Sequence, residues 1–156
     1  MGISANDGKW HHICVSWSSS NGQWHAYKDG EISKRGSDFK RGYEIKGGGA
    51  VTVGQDQDSL GDRFEAYQSF KGSLAHVNVW NCVLPLATIR EMSKSCYRGE
   101  GNVYKWSDFS RYVRGNTTVV VPSPCVLQQE WVMYYKHTVF KLNGQSELWI
   151  NIVAGS

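Results

Sequence analysis

The stretch VGQDQDSLGDRFEAYQSF, residues 53–70, concentrates side chains that could bind a cation or move a proton. Its eighteen residues include four carboxylic acids and three glutamine amides. The acids are Asp56, Asp58, Asp62 and Glu65, and the amides are Gln55, Gln57 and Gln68. Three functions fit such a loop: a solvated turn, a catalytic pair of carboxylates, or a set of oxygen ligands for a hard cation.

The spacing of the acids tests two of these hypotheses. The helix-loop-helix calcium motif requires an oxygen ligand at loop position 5 and a glutamate at position 12. Counting from Asp56, these positions hold Leu60 and Tyr67, so this motif is absent. A glycosidase-like pair needs one carboxyl group in an apolar cleft, and nothing near Asp56 and Asp58 indicates such a cleft. A solvated turn and another type of cation site therefore stay open on the residue types alone.

Other residues with reactive or ligand-binding side chains are better explained by structural roles. His11, His12 and Cys14 could indicate zinc, but adjacent strand residues point to opposite faces, and we interpret His12 as a packed histidine. No GxSxG turn frames a serine nucleophile. Five tryptophans could stack on sugars, although their strand spacing favours the core: Trp10, Trp17, Trp24, Trp80 and Trp106. We therefore expect a protein without enzymatic activity.

The elements that must position the acidic loop read mostly as strands. KWHHICVSWSS, residues 9–19, suits a strand buried on both faces, and the Asn21-Gly22 step after it is a strong hairpin signal. WHAYKDGEIS alternates and turns again at Asp29-Gly30. GGGAVTVGQ and GSLAHVNVW predict strands on either side of the acidic loop, and GNVYKWSDF and TTVVVPSPC predict two more.

One helix is predicted, over LPLATIREMSKSC, residues 84–96. Pro85 suits a first turn, and Leu86, Ile89 and Met92 or Ser93 recur at helical spacing. Together with seven tryptophans and seventeen glycines, which favour many short strands, the pattern predicts an all-β sandwich with one short surface helix.

Composition excludes several classes of function. A chain of 156 residues can bury one core, and nothing in it requires two domains. The formal charge of +3 is mild and the lysines and arginines are scattered, so we predict no nucleic-acid partner. No apolar run is long enough for a transmembrane segment, and the N-terminus lacks the pattern of a signal peptide.

Two separated motifs resemble a known family. HICVSWSS, residues 12–19, matches the pentraxin signature His-x-Cys-x-Ser/Thr-Trp-x-Ser/Thr at every fixed position. GQDQDSLGDRFEAYQSFKGSLAHVNVW resembles the calcium-loop segment of that family, and VLPLATI resembles the start of its single helix. The resemblance implies a two-sheet jelly roll with a concanavalin A-like, lectin-like fold. This agrees with the sandwich expected from the strand pattern.

The resemblance also implies a ligand set for calcium. Pentraxins bind two adjacent Ca²⁺ ions on one face, and these ions hold phosphate-bearing or anionic ligands. By this resemblance Asp56 and Asp58 bridge both ions, Gln57 offers its backbone carbonyl, and Glu65 and Gln68 complete the second ion's shell. Ca²⁺ takes six to eight oxygen ligands in flexible geometry, which such a loop can supply.

This sequence departs from the family pattern in the same loop. The position of Asp56 is usually glutamate, so its carboxylate is one methylene short. The usual Gly-Gly pair is Gly61-Asp62 here, followed by the cation of Arg63. The resemblance places the remaining ligands of the first ion in a part of the domain that precedes Met1. We therefore expect an N-terminally truncated fold: residues 1–125 form a partial pentraxin domain, and residues 126–156 are an unassigned tail.

The family context extends to cysteines and glycosylation. The resemblance implies a disulfide between Cys96 and Cys125, a partner for Cys14 upstream of Met1, and no partner for Cys82. GNTT offers a glycosylation acceptor at Asn116. Because disulfides persist outside the cytosol and the family occurs there, we expect an extracellular protein, secreted or part of a cell-surface ectodomain.

Two functional hypotheses result. The first is a calcium-dependent extracellular recognition module that binds phosphorylated or anionic small ligands or an extracellular protein partner, with a homo-oligomer also compatible. The alternative is a metal-free structural adhesion module of a larger mosaic or receptor protein. The outcome depends on whether Asp56, Asp62 and Arg63 still permit calcium to bind.

Overall fold

The computed structural model describes residues 3–55, 65, 67, 69–109, 112–113, 117–121, 123, 125, 143–144 and 151–155. These residues form seven strands and two helices. The strands are β1 (His11–Ser18), β2 (Gln23–Lys28), β3 (Glu31–Gly36), β4 (Gly54–Gln55), β5 (Ser73–Asn78), β6 (Asn143–Gly144) and β7 (Asn151–Gly155). The helices are α1 (Leu86–Ser93) and α2 (Trp106–Phe109). The chain is therefore mostly β with little helix, as expected for a jelly-roll fold.

The main sheet has five antiparallel strands in the order β3-β2-β1-β7-β5. A parallel pair, β4-β6, forms a second small sheet. Both β6 and β7 come from residues 126–156, to which the sequence analysis assigned no structure. Because β7 pairs with β1 on one side and β5 on the other, this part of the tail joins β5 to the three strands β1, β2 and β3.

Two tight turns produce the first three strands where the sequence predicted them. Gly22 adopts φ 67° between β1 and β2, and the amide of Gln23 donates to the side-chain oxygen of Asn21 at 2.9 Å. Between β2 and β3, Asp29 and Gly30 have φ of 52° and 82°. Consecutive left-handed residues match the twist of a two-residue hairpin, so the predicted Asp29-Gly30 turn is confirmed.

Strand β1 is less evenly buried than the sequence predicted. His12, Cys14 and Ser16 on one face are buried, whereas Ile13 and Val15 on the other face are half-buried. The buried face lies under α1, because Cys14 and the buried Tyr27 of β2 pack against Ile89. The prediction of burial on both faces was therefore wrong for this part of the chain.

Helix α1 begins at Leu86, one residue after Pro85, and buries Ile89 and Met92 against the sheet. This confirms the apolar spacing that predicted it. Its exposed side is tied to the edge of the sheet, because Arg90 donates twice to the carboxylate of Glu31 at 3.0 Å. These contacts fix the helix across the β2-β3 hairpin.

The segment GNVYKWSDF is not the predicted strand. Tyr104 makes a single bridge to Val79, and the chain then enters α2, so the expectation of one helix was also wrong. The carboxylate of Asp108 accepts from the amide of Lys105 at 2.9 Å, as the third helical residue does in a capping box. Likewise, GGGAVTVGQ contributes only β4, and residues 117–121 of TTVVVPSPC contain no strand.

The beginning of β1 carries a cluster of three titratable side chains. The imidazole of His11 lies between two carboxylates, with Nδ1 2.8 Å from Asp29 and Nε2 2.9 Å from Asp7. A neutral imidazole has one N–H, so only the imidazolium donates to both. Burial lowers the pKa of His11, but the bonds to Asp29 and Asp7 outweigh it and raise the pKa above its ordinary value. The bond to His11 is the main cause that lowers the pKa of Asp7.

The signs of these shifts predict how stability varies with pH. The His11 contribution is fully present below its unfolded pKa of about 6.5 and is lost as pH rises through its higher folded pKa. The Asp7 contribution is present above about 3.9 and is lost as pH falls through its lower folded pKa. We therefore expect the melting-temperature difference between wild type and His11→Gln to be largest near pH ~5.5 and to narrow by pH ~8.5. His25→Gln, at a histidine outside this cluster, is the control; a difference that does not vary with pH would contradict the prediction.

Candidate functional site

The acidic loop is closed at its base by Gln55, the last residue of β4. The side chain of Gln55 is 5% exposed, and its Nε2 donates to the backbone carbonyl of Glu65 at 2.6 Å. Gln55 also forms an antiparallel bridge with Ser69, on the far side of the loop. Gln55 and Ser69, the described residues that flank residues 56–68, therefore lie side by side.

The base of this loop rests on the core. Val53, immediately before β4, packs against the cluster formed by Val77 of β5 and Trp106 of α2. After the loop, the chain reaches Ser69 and then Ser73, where β5 begins. In the chain the loop thus lies between β4 and β5, and the contact of Val53 with the core positions its entry.

The structure describes one of the five predicted calcium ligands. Glu65 is exposed, and its carbonyl is the group held by Gln55. Asp56, Gln57, Asp58 and Gln68 lie outside the described residues, as does the predicted glycosylation acceptor Asn116. Within the described residues, no group of three or more His, Cys, Asp or Glu side chains could hold a metal ion.

The donor types suit a hard cation. Carboxylate, amide and backbone oxygens are the ligands that Ca²⁺ takes, whereas zinc sites use mostly histidine and cysteine. Loop 56–68 contains four carboxylates and neither histidine nor cysteine. The hydrogen bond from Gln55 holds the backbone at Glu65 next to the end of β4. The residues present therefore fit calcium better than zinc.

The disulfide implied by the resemblance is present. Cys96, after α1, is bonded to Cys125, with a Cα–Cα distance of 6.3 Å and a sequence separation of 29 residues. Both cysteines are buried against Ala75 of β5, and Trp10 packs on the same cluster. The bond therefore ties the segment after α1 to the edge of the main sheet at β5.

Two cysteines are free, as predicted for this chain. Cys14 lies buried in β1, and burial raises the pKa of its thiol to about 12. That thiol stays protonated at physiological pH, so Cys14 behaves as a packed apolar residue. Cys82 is exposed just after β5.

Two structurally central amides were missed by the sequence analysis. Gln55 was counted among the amides of the loop but not as the residue that closes it, and Asn78 was part of the predicted strand GSLAHVNVW with no role of its own. Asn78 is 1% exposed; its Oδ1 accepts from the amides of Gly101 and Trp106, at 3.1 and 3.3 Å, and its Nδ2 donates to the carbonyl of His76. An amide inside an apolar strand pattern was the signal that could have identified both residues.

The bend in β5 explains how Asn78 reaches these groups. His76 adopts φ 57°, and the register of β5 against β7 shifts between Ala75 and Asn78. A bulge of this kind re-aims the following side chain. The strand predicted for GSLAHVNVW is therefore present but bulged, and Leu74, Ala75, Val77 and Asn78 are all buried.

No helix within the described residues is long and apolar enough to cross a lipid bilayer. The described residues that flank the acidic loop are joined by the Gln55 hydrogen bond to Glu65 and by the Gln55–Ser69 bridge. Among the described residues we find no nucleophile assembled with a general base.

Comparison with known proteins gives a consistent assignment. The model of the Pentaxin family, more often spelled pentraxin, matches residues 2–122. Rat "Sushi, von Willebrand factor type A, EGF and pentraxin domain-containing protein 1" is 41% identical over 118 residues, which are 74% of this chain and 3% of that protein. Human neuronal pentraxin-2 is 41% identical over 106 residues, 68% of this chain and 25% of that protein. The mouse neuronal pentraxin receptor is also 41% identical over 106 residues, 22% of its length.

These relatives are much longer than the matched region, so the chain spans at most about a quarter of their length. The match nevertheless includes both strands of the signature hairpin, the acidic loop and α1. Pentraxins are non-enzymatic, lectin-like recognition proteins, and the fold described above is of that kind. The chain belongs to the pentraxin family.

Proposed function

We propose that this chain is a calcium-dependent extracellular recognition module that binds anionic or phosphorylated small ligands, or an extracellular protein partner, at loop 56–68. The observation that carries the proposal is the closed base of the loop, where Gln55 holds the Glu65 carbonyl and pairs with Ser69. A loop that is closed at its base needs less ordering when an ion binds than an open segment would.

Each predicted ligand in the loop has a proposed role in binding calcium. Asp56 and Asp58 are proposed as carboxylate ligands, Gln57 as a backbone ligand, and Glu65 and Gln68 as the remaining ligands of the same site. Bound calcium would supply positive charge for an anionic ligand, and the acids alone would repel one. Gln55 is a positioning residue, because it holds the backbone beside Glu65 without supplying a ligand atom itself.

Three residues favour the second candidate, a metal-free structural adhesion module. Asp56 is shorter than the glutamate usual at that position, Asp62 replaces a glycine, and Arg63 adds a positive charge inside the loop. If these changes have removed the metal, the sandwich and the disulfide still provide a rigid extracellular module. We further propose that Asn116 carries a glycan and that the protein forms a homo-oligomer.

A calcium titration separates the two candidates. Extracellular calcium modules bind with dissociation constants of about 0.1 to 1 mM. At ten times the dissociation constant, mass action should stabilise the fold by about 1.4 kcal/mol, which is measurable as a rise in melting temperature. Asp58→Asn should abolish this rise, because Asp58 is proposed to bridge both ions.

The matched control is Asp62→Asn, the same chemical change at a position where the family has glycine. It should leave the calcium response nearly unchanged, and magnesium should not replace calcium, because it requires stricter octahedral geometry. Gln55→Ala should weaken the response without changing the number of carboxylates. No rise in melting temperature up to about 10 mM calcium would favour the metal-free module.

A further inference from the structure

The excess positive charge of the chain lies in one short segment. Residues 32–46, ISKRGSDFKRGYEIK, contain five basic and two acidic side chains, a net charge of +3. The whole chain has 17 basic and 14 acidic residues, so the remainder has 12 of each and no net charge. We call residues 32–46 the basic segment. Up to four other residues separate successive cations, so the sequence contains no continuous basic run.

The basic segment is displayed on the outside of the fold. It begins in β3, the outer strand of the five-stranded sheet, and continues into the loop after that strand. The cations of the basic segment are Lys34, Arg35, Lys40, Arg41 and Lys46. All five are exposed, and none takes part in an ion pair with another described residue. By contrast, the neighbouring Glu31 is paired with Arg90. The charge of the basic segment is therefore available to a partner.

The backbone of the basic segment is held in a defined shape against the β1-β2 hairpin. The amide of Phe39 donates to the Gly22 carbonyl at 3.0 Å, and the indole of Trp17 donates to the Phe39 carbonyl at 2.7 Å. Ser19 makes two further bonds, accepting from the Gly42 amide at its carbonyl and donating from its hydroxyl to the Tyr43 carbonyl. The loop is thus pinned between Phe39 and Tyr43.

This shape includes two strained residues. Asp38 and Lys40 have φ of 58° and 47°, in the left-handed region that residues with side chains seldom adopt. Both side chains are exposed, so core packing does not account for the strain. Gly22 permits the close approach, because a Cβ there would lie 2.9 Å from the backbone of Asp38. Strained backbone that is held by its surroundings is typical of binding sites.

Apolar side chains alternate with the cations. Phe39 and Tyr43 are 46% and 43% exposed, and the ammonium of Lys40 lies 5.7 Å from the centre of the Tyr43 ring. Exposed rings beside cations suit a ligand that has both flat apolar faces and negative charge. Asp38 and Glu44 in the same segment would repel a uniformly negative surface, but their carboxylates accept hydrogen bonds from hydroxyl groups.

We propose that the basic segment binds a sulfated polysaccharide. The sulfate groups pair with the cations, and the guanidinium of Arg35 or Arg41 can donate two parallel hydrogen bonds to one sulfate. The C–H face of a sugar ring stacks on Phe39 or Tyr43, and sugar hydroxyls donate to Asp38 and Glu44. This surface is separate from loop 56–68 in sequence and uses no metal ion.

The test measures binding of a fluorescent heparin oligosaccharide to the complete 156-residue chain in EDTA. We expect binding that weakens as salt is raised, because counterions are released from the sulfates. The double change of Lys40→Glu with Arg41→Glu should weaken binding about tenfold or more and flatten its salt dependence. Lys34→Ser with Lys46→Ser, which reverses no charge, should weaken it in the same direction. Tyr43→Ser should weaken binding while leaving the salt dependence unchanged.

Two controls make the result specific. Lys9→Glu with Lys71→Glu changes the net charge equally at exposed lysines outside the basic segment and should leave binding unchanged within about twofold. Desulfated heparin should not bind. Melting curves of every variant confirm that the fold is retained.

Several outcomes would overturn the proposal. An equal loss in the Lys9 and Lys71 control would show a response to net charge alone. Loss of binding in EDTA would place the sugar at the calcium loop instead. Tighter binding of single-stranded DNA, or of phosphatidylserine vesicles, would identify a nucleic acid or a membrane as the better occupant. Because the test is done without calcium, its result does not depend on the calcium titration.

Discussion

Replacement of Asn78 by leucine is expected to lower the free energy of unfolding by about 3 to 5 kcal/mol, because one buried and two half-buried polar groups lose their hydrogen bonds to the Asn78 side chain, at about 1 to 3 kcal/mol each. Those groups are the amides of Gly101 and Trp106 and the carbonyl of His76. A leucine of similar size fills the space without replacing any of these bonds. The measurement is urea unfolding at equilibrium, and the midpoint of the transition should fall sharply.

The Asn78 network has a wider structural role than its three bonds. It joins a strand, β5, to the loop that starts at Gly101 and to the first residue of α2. A Cβ at Gly101 would collide with the carbonyl of Tyr104 and lie 2.6 Å from that of Val79, so the loop passes very close to the strand. Loss of Asn78 should therefore loosen α2 and, through Val53, the base of the acidic loop.

Asn78→Asp provides a diagnostic comparison. Its oxygen still accepts from both amides, but an ionised carboxylate cannot donate to the His76 carbonyl. Burial raises the pKa of such a carboxyl above its unfolded value, so its folded form is favoured below the unfolded pKa and loses stability as pH rises through the folded pKa. The difference in the free energy of unfolding between wild type and Asn78→Asp should therefore be smaller in acid than at neutral pH. The difference for Asn78→Leu should not depend on pH in this way.

The control for this experiment is Asn81→Ala. Asn81 lies three residues after Asn78, and its side chain forms an exposed hydrogen bond with Asn102. Its effect should stay below about 1 kcal/mol, because water replaces the lost bonds. A loss of similar size in Asn78→Leu would mean that the buried network contributes little to the fold.

Removal of the Cys96–Cys125 disulfide is expected to destabilise the fold by about 3 to 4 kcal/mol, from the entropy that a loop of this length regains in the unfolded chain. The double change of Cys96→Ala with Cys125→Ala also leaves small gaps beside Ala75 and Trp10 in the core. The slope of the free energy against urea should rise, because the unfolded chain without the bond exposes more surface.

The matched control is Cys82→Ser, at the exposed free cysteine, where no change in stability is expected. Reduction of the wild-type chain should reproduce most of the loss seen in the double alanine variant. If the reduced protein unfolds at the same urea concentration as the oxidised one, the bond does not hold the segment after α1 to the sheet.

The residues by themselves specified the parts of this fold that depend on near neighbours in the chain. The Asp29-Gly30 step determined the β2-β3 turn, because both residues tolerate left-handed dihedrals. The spacing of Ile89 and Met92 determined the buried face of α1 in the same way. The signature around His12 and Cys14 and the acidic loop after Gln55 were sufficient to identify the family.

Local patterns failed where distant groups compete for the backbone. GNVYKWSDF has the aromatic content of a strand, yet the Trp106 amide bonds to Asn78, twenty-eight residues earlier, and α2 forms instead. Helix propensity and strand propensity are weak over such short segments, so a tertiary contact decides. Asp108, whose carboxylate accepts from the Lys105 amide, was a local signal for that helix, although four residues are too few to show a period.

The tertiary structure alone decided three arrangements that bear on function. It placed β7 between β1 and β5, because strand pairing across more than seventy residues leaves no local pattern. It closed the acidic loop through Gln55, since a side chain bonded to a backbone carbonyl ten residues away depends on the path of the loop. It gathered the scattered cations of residues 32–46 on an outer strand and a pinned loop, because exposure and hydrogen bonding to Gly22 and Ser19 are properties of the folded chain.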